Sequence, residues 1–415
     1  MIFAIFIPEV IRHELVESKL VQNLLLSFMY KTSYYDDFKC IGSECPNSCC
    51  VGWEIDLDIN TFQKYRDLQD NNIYKCISIN QKPTYDKFAK IKKVNDQRCS
   101  FLDKDNLCNI QKKYSEKLLS PTCSNFPRRK VDFGSKQLSS CLLSCPEISR
   151  IYFEDNEQFK IIDNEKKLVD TNLKIIPDEF RNNLYAVSGE RIFNFFYKLY
   201  NSNDISLEKC LMITNQIINE FSNKKIKPYK GNEVFEYVKS FFLNNKIEKK
   251  IDTELQLEFL KKFFRCFQKK KINNKLSQLI NKLYTDCFLN TDIKKIRLLF
   301  EKNKLHNFNK FLLKHPNIFK KFFIHEFFGK TQLLTNEEID SKDGFYLIFF
   351  IALVSKLILI LKTLPKDQIV VKDFIEVISL ISRYYGGKDN LDKEEKELVY
   401  KDNKTFENLF YLFFG

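Results

Sequence analysis

"CIGSECPNSCC", residues 40–50, places four cysteines in eleven positions and makes the last two neighbours. Adjacent cysteines can barely bond to each other, because a disulfide needs Cα atoms well apart. Cys49 and Cys50 therefore look for partners elsewhere in the chain. In an extended backbone successive side chains face opposite ways. The pair can then serve two different centres, or one can ligate while the other packs; placing both on one metal requires a tight turn.

Working outward, the spacing continues as Cys99-x8-Cys108-x14-Cys123 and Cys141-x3-Cys145, with Cys76 alone between the groups. Ten of the 13 cysteines thus fall between Cys40 and Cys145, and Cys210, Cys266 and Cys287 sit singly, as small buried hydrophobes do. Such density in a secreted chain would mean disulfides. The apolar start "MIFAIFI" lacks a basic flank and a cleavage site, and Glu9, Arg12, His13, Glu14 and Glu17 interrupt it early. The expectation is a cytoplasmic protein whose gathered thiolates bind metal, in preference to disulfides or a thiol relay. All four histidines (His13, His306, His315, His325) lie outside the cysteine-rich stretch. A site there is all-thiolate, which suits zinc and an iron–sulfur cluster alike.

The rest of the chain reads as helix. Hydrophobic residues make up 44% and charged residues 29%, with only 10 Gly and 10 Pro in 415 residues, which argues against a loop-rich β protein. In "DTELQLEFLKKFFRCF" the apolar residues Leu255, Phe259, Phe263 and Phe267 recur every four positions, behind a Thr253–Gln256 capping box. Similar segments cover roughly 179–200, 206–222, 232–245, 274–288, 291–302, 344–363 and 367–385. Phe-rich runs such as "NIFKKFFIHEFF" read as core. The fold class expected is mainly α: a cysteine-rich metal-binding domain with little β (29–160) followed by an all-helical domain (161–415). Residues 1–28 form an N-terminal extension.

"FYLIFFIALVSKLILIL", residues 345–361, is at the short limit for a membrane span and contains Lys356. It reads as a buried helix with Lys356 reaching outward, so no membrane partner is expected. The net charge of +13 divides into +4 over residues 1–150 and +9 over the remainder. Basicity this evenly spread argues against a nucleic-acid partner, which favours a localised stripe.

Three segments, "YYDDFKCIGSECPNSCCVGWEIDLD", "CSFLDKDNLCNIQKKYSEKLLSPTCSNFPR" and "LLSCPEISR", together resemble the flagellin lysine-N-methylase family. That family shares its cysteine pattern with the CxxCxxCC metal-chelating proteins. The resemblance runs in order over about 115 residues, includes Trp53, and continues more loosely in "NLYAVSGERIFNFFYKL" and "FIHEFFGKTQ". Carried over position by position, it implies Cys40, Cys45, Cys49, Cys50, Cys99, Cys108, Cys123 and Cys145 as the metal set, with Cys76 and Cys141 as extras. Eight ligands fit two four-thiolate centres, or one cluster plus spare thiols; the resemblance favours iron–sulfur over zinc. Residues 1–28 have no counterpart, and Met29 stands where such proteins begin.

The resemblance also implies methyl transfer from S-adenosylmethionine to lysine amines of flagellin. A lysine with a pKa near ~10.4 must lose its proton before it can attack. Glu54, Asp56 and Asp58 in "GWEIDLD" are the carboxylates that sequence alone offers for this; the plainer reading of each is a solvated strand or turn residue. No glycine-rich loop marks a Rossmann-like cofactor site. Nor does a C-x3-C-x2-C triad occur, since Gly52 and Ile148 stand where the third cysteine belongs. The competing function is a non-catalytic metal-binding or redox-sensing module with a helical interaction domain.

Overall fold

A computed structural model describes residues 29–52, 54–94, 98–133, 136–155, 158–162, 196–222, 253–270, 274–329, 341–386, 391–399 and 405–414. The extension 1–28, Trp53 and the expected helices at 179–195 and 232–245 lie outside the described residues.

Up to residue 162 short strands alternate with short helices. They are β1 (Met29–Thr32), β2 (Asp56–Leu57), α1 (Ile59–Asp67), α2 (Asn71–Lys75), β3 (Ile77–Ile79), β4 (Ala89–Ile91), β5 (Lys93–Val94), β6 (Arg98–Cys99), α3 (Asn109–Lys113), α4 (Pro121–Asn125), β7 (Arg128–Phe133), β8 (Lys136–Cys141), α5 (Pro146–Glu154) and β9 (Ile161–Ile162). Beyond that point every described element is helical. These are α6 (Leu207–Ser222), α7 (Thr253–Lys269), α8 (Lys275–Tyr284), α9 (Ile293–Asn303), α10 (Asn309–Lys314), α11 (Ile318–Gly329), α12 (Ser341–Lys362), α13 (Val371–Tyr385), α14 (Lys393–Val399) and α15 (Thr405–Phe414). The protein is mainly helical, with few strands.

Helix starts follow the capping residues in the sequence. The Asp58 carboxylate accepts the Thr61 amide at α1, Ser120 accepts the Cys123 amide at α4 with Pro121 in the first turn, and Asn274 accepts the Ser277 amide at α8. The largest sheet has the order β7-β8-β1-β9, with β1 parallel to β8 and antiparallel to β9. Smaller sheets join β2-β4-β3 and β5-β6.

Two hydrophobic cores result. A small one gathers Ile55, Leu57, Tyr65, Ile73, Ile77, Ala89, Ile91, Phe101 and Ile110, all from the strand-bearing part. The large one is built by the helices but also takes in Tyr34, Phe38, Leu138, Leu143, Ile148, Tyr152 and Phe159. The long sheet and α5 are therefore packed into the helical part, with α5 against α13 and α11 across β8. A buried Phe contributes about 1.5–3 kcal/mol over an exposed one, so most of the apolar driving force sits in this core.

Three sequence readings need adjustment. The buried face of α7 is Gln256, Leu257, Phe259, Leu260, Phe263, Phe264 and Phe267, while Leu255 is exposed. Thr253 and Gln256 both accept from the buried Lys304 Nζ, at 3.1 Å each. The apolar window of α12 is long enough to cross a membrane but is wholly enclosed by protein. Lys356 does not reach outward: it is buried, donates to the Phe413 carbonyl at the end of α15, and lies 5.1 Å from the Phe413 ring centroid. A carbonyl from a distant helix, invisible to a pattern read along one helix, satisfies its charge.

Candidate functional site

Residues 49–50 form a turn that leads into an isolated bridge between Val51 and Arg98. The Cys99 amide donates to the Cys50 carbonyl at 2.8 Å, which sets β6 beside the paired cysteines. A second bridge, Leu102 to Cys108, folds the next loop back, and α4 brings Cys123 alongside through its Ser120 cap. Cys50, Cys99, Cys108 and Cys123 then share the small core, and each lies within electrostatic reach of the others. Tyr65, buried beneath them, feels Cys123, Cys108 and Cys99.

Cys49 belongs to a different neighbourhood. Cys40, Cys45 and Cys145 influence one another, and Cys49 feels Cys40 and the Arg383 guanidinium. Arg383, from the last turn of α13, holds this region together. Its Nη1 donates to Asn47 Oδ1 and the Ser48 carbonyl (2.9 Å each), and its Nη2 to the carbonyls of Asn47 (2.7 Å) and Ser144 (3.1 Å). One guanidinium thus joins the 45–50 loop to the residue before Cys145. Burial draws the Arg383 pKa down, and the nearby cysteines, Cys49 first and then Cys45 and Cys145, draw it back. Lys275 of α8 adds a second cation by donating to the Pro46 carbonyl.

The eight cysteines therefore sort into two sets of four, with the Cys49–Cys50 turn between them. The Cys49 thiol donates to Cys50, so Cys50 is held toward thiolate, below the usual thiol range, and Cys49 is kept protonated. Burial is the main cause of the other shifts, pushing Cys99 up to about 12 and Cys123 and Cys145 to about 11. Thiols that are buried together resist ionisation unless a cation joins them. All thirteen cysteines are free of disulfides. Among the described residues, no three Cys, His, Asp or Glu side chains converge closely enough to hold a metal as they stand. Cys76 packs against the small core and points to the Ser100 carbonyl, and Cys141 is buried near Arg128 and Cys145.

The three carboxylates are spread out. Glu54 is exposed, 3.9 Å from Lys90 Nζ. Asp56 is in β2, opposite Lys90 of β4. Asp58 caps α1: burial opposes its charge, but bonds from the Thr61 hydroxyl (2.6 Å) and amide (2.9 Å) win and hold it below the usual carboxylate range. Sequence reasoning missed Arg383. Its one available signal is a lone arginine at the end of the apolar run "FIEVISLIS" (374–382).

The chain is 30% identical over 185 residues to the lysine-N-methylase of Salmonella typhimurium (strain LT2), covering 42% of each. It is 30% identical over 190 residues to the lysine-N-methylase of Salmonella choleraesuis (strain SC-B67), 43% of this chain and 44% of that one. To the flagellar biosynthetic protein FliU of Salmonella muenchen it is 34% identical over 139 residues, 32% of this chain and 81% of the relative. The chain spans less than half the length of the two lysine-N-methylases. No family model and no solved structure matches it. Fold and site define a mainly helical protein with a thiol-rich, strand-bearing N-terminal part. The chain belongs to the flagellin lysine-N-methylase family.

Proposed function

We propose that the protein is a lysine N-methyltransferase that uses S-adenosylmethionine to methylate lysine amines of flagellin in the cytoplasm, where thiols stay reduced. The observation that carries this reading is the match to lysine-N-methylases and to a flagellar biosynthetic protein. A thiolate-bound metal or iron–sulfur centre is part of the proposal. The donor set fits it: eight soft sulfur ligands, in two fours, uncommitted to disulfides. Cys50, Cys99, Cys108 and Cys123 would hold one group, and Cys40, Cys45, Cys49 and Cys145 the other. Such a centre supplies a positive charge that stabilises thiolates, cross-links the segments and, if iron–sulfur, adds redox capacity.

The chain's own residues must bind the acceptor lysine and take its proton. Within "GWEIDLD", Glu54 and Asp56 remain the carboxylates proposed for that task, since Asp58 is spent on a cap.

Incubating anaerobically purified protein with folded flagellin and S-adenosylmethionine is the direct test. The expected result is a mass gain of one methylene per methyl on flagellin lysines. No gain, with metal present and both proteins folded, would favour the non-catalytic metal-binding or redox-sensing reading. Iron with labile sulfide in the purified protein would decide for a cluster, and zinc for the alternative.

A further inference from the structure

α7 and α9 pack against each other, and their sequences "ELQLEFLKKFFR" (254–265) and "IKKIRLLFEKN" (293–303) place cations on the outer side of that contact. An open groove of about 470 Å³ runs between the two helices. Lys261, Lys262, Arg265, Lys294 and Arg297 line it with two carboxylates, Glu254 and Glu258, so the described residues around it carry a net charge of +3. Helical spacing accounts for this. Positions 254, 258, 261, 262 and 265 fall on one side of α7, and 294 and 297 on one side of α9. The apolar part of the lining is Leu257, which is buried, and Ile293, which is 50% exposed.

The charges are engaged to different degrees. Arg297 Nη1 donates to Glu254 Oε2 at 2.8 Å and ties α9 to α7. Arg265 is steadied by its Nε, which donates to the Tyr284 hydroxyl at 3.0 Å, and the rest of its fork is open to a ligand. Lys261, Lys262 and Lys294 make no ion pair among the described residues, and neither does Glu258. Asp292, just before α9, is engaged as a cap on the Lys294 amide. Three lysines sharing one groove with a single loose carboxylate repel one another, and a multiply charged anion relieves that.

Shape and charge narrow the occupant. S-adenosylmethionine carries a sulfonium and an ammonium, and the acceptor lysine is itself cationic, so the groove repels both. A nucleic-acid strand favours a long basic stripe with aromatic side chains for stacking, and among the described residues no aromatic lines this groove. An acidic peptide with an apolar residue among its carboxylates matches. Its apolar side chain meets Ile293 and Leu257, and its carboxylates meet Lys261, Lys262, Lys294 and the Arg265 fork.

We propose that the groove between α7 and α9 docks an acidic segment of the protein substrate, apart from the lysine that is modified. This inference rests on the methyltransferase reading above. The position of the groove agrees with that use. α8 starts at Lys275, which donates to the Pro46 carbonyl of the thiol loop, and ends at Tyr284, which receives Arg265. Its ten residues span about 15 Å. A protein bridges that distance, and a free lysine does not. Docking at one end of α8 adds affinity for the whole substrate and leaves the thiol loop at the other end clear.

The first arm of the test does not depend on activity. A short fluorescent peptide of glutamates broken by leucines is titrated into the full-length protein and followed by anisotropy. Binding is expected at about 10–100 μM in low salt, weakening as salt is raised. Lys262→Glu combined with Lys294→Glu should weaken it at least about ten-fold. Both side chains are exposed, and an unchanged circular dichroism melt checks that the double variant is folded. Lys295→Glu makes the same kind of charge change on α9 outside the groove and should leave binding within about two-fold. No binding of the peptide, or equal weakening by Lys295→Glu, overturns the proposal. So does tighter binding of a single-stranded oligonucleotide of equal charge, which would make the face a nucleic-acid surface.

The second arm is methylation of folded flagellin. The double variant should raise KM about ten-fold with kcat nearly unchanged, and Lys295→Glu should alter neither. A fall in kcat at unchanged KM overturns docking. Methylation of flagellin without peptide binding overturns the groove alone. Peptide binding without methylation upholds the acidic docking site and removes flagellin as the protein it receives.

Discussion

The two thiol sets are built by opposite strategies. Cys50, Cys99, Cys108 and Cys123 rest on a core of their own, joined by backbone bonds and bridges within residues 50–123. Burial is the strongest influence on Cys99 and Cys123; a hydrogen bond opposes it, from the Phe101 backbone for Cys99 and the Ser120 side chain for Cys123, and neighbouring thiols add to it. Cys40, Cys45, Cys49 and Cys145 depend instead on the helical part, which supplies Arg383 and Lys275. The second set has two cations of the helical part beside it, yet burial still holds Cys45 and Cys145 above the usual thiol range; in the first set Cys50 alone is held toward thiolate, by the Cys49 thiol. Local folding is enough for one, and tertiary assembly is required for the other.

The largest effect expected from breaking this distinction is on bound metal. Cys108→Ser should remove about half of it and leave the second set loaded, and Cys45→Ser the converse. Elemental analysis of both variants checks this; loss of all metal in either would make the eight thiols one centre. Next comes Tyr65→Ala, which hollows the small core and is expected to cost about 3–5 kcal/mol, by analogy with other large-to-small aromatic changes. Denaturant unfolding followed in the strand-bearing part should show the loss there, with the helical core unchanged.

Arg383→Ala should cost somewhat less, about 2–4 kcal/mol, because it removes the donor from the carbonyls of Asn47 and Ser144 and one of two donors from that of Ser48. Its signature is selective: alkylation of Cys45 and Cys49 should speed up while that of Cys99 does not. The smallest change is Asp58→Ala, about 1 kcal/mol for a lost N-cap. Because the folded Asp58 carboxyl is held below its ordinary value, its contribution is present above the unfolded pKa of ~3.9 and vanishes as pH falls through the folded pKa. The wild-type and Asp58→Ala stability curves should therefore converge in acid; curves that stay parallel would separate Asp58 from the cap.

Much of this was legible in the sequence, for reasons that are local. Alternation along an extended chain left open whether Cys49 and Cys50 serve two centres or one ligates while the other packs; the pair instead sits in a turn, with the two thiols in hydrogen-bond contact. The helical character of the described residues after 162 followed from periodicity and scarce glycine. What escaped depends on distant residues. Nothing near position 47 announces that Arg383 binds there. Lys356 reads as outward-reaching until the end of α15 covers it. Leu255 misled because a four-residue spacing drifts around a helix of 3.6 residues per turn, so its face and that of Phe267 differ.

The position of β1 gives the molecule a timetable. Lying between β8 and β9, it cannot find both neighbours until residue 162 has been made. All four cysteines of the first set have been synthesised once Cys123 is added, but the second set must wait for Arg383, 260 residues later. At ~5–20 residues per second that interval is roughly 10–50 s of translation. During it Cys40, Cys45, Cys49 and Cys145 have no guanidinium to hold them together, so the two sets come together in the order in which the ribosome delivers their supports.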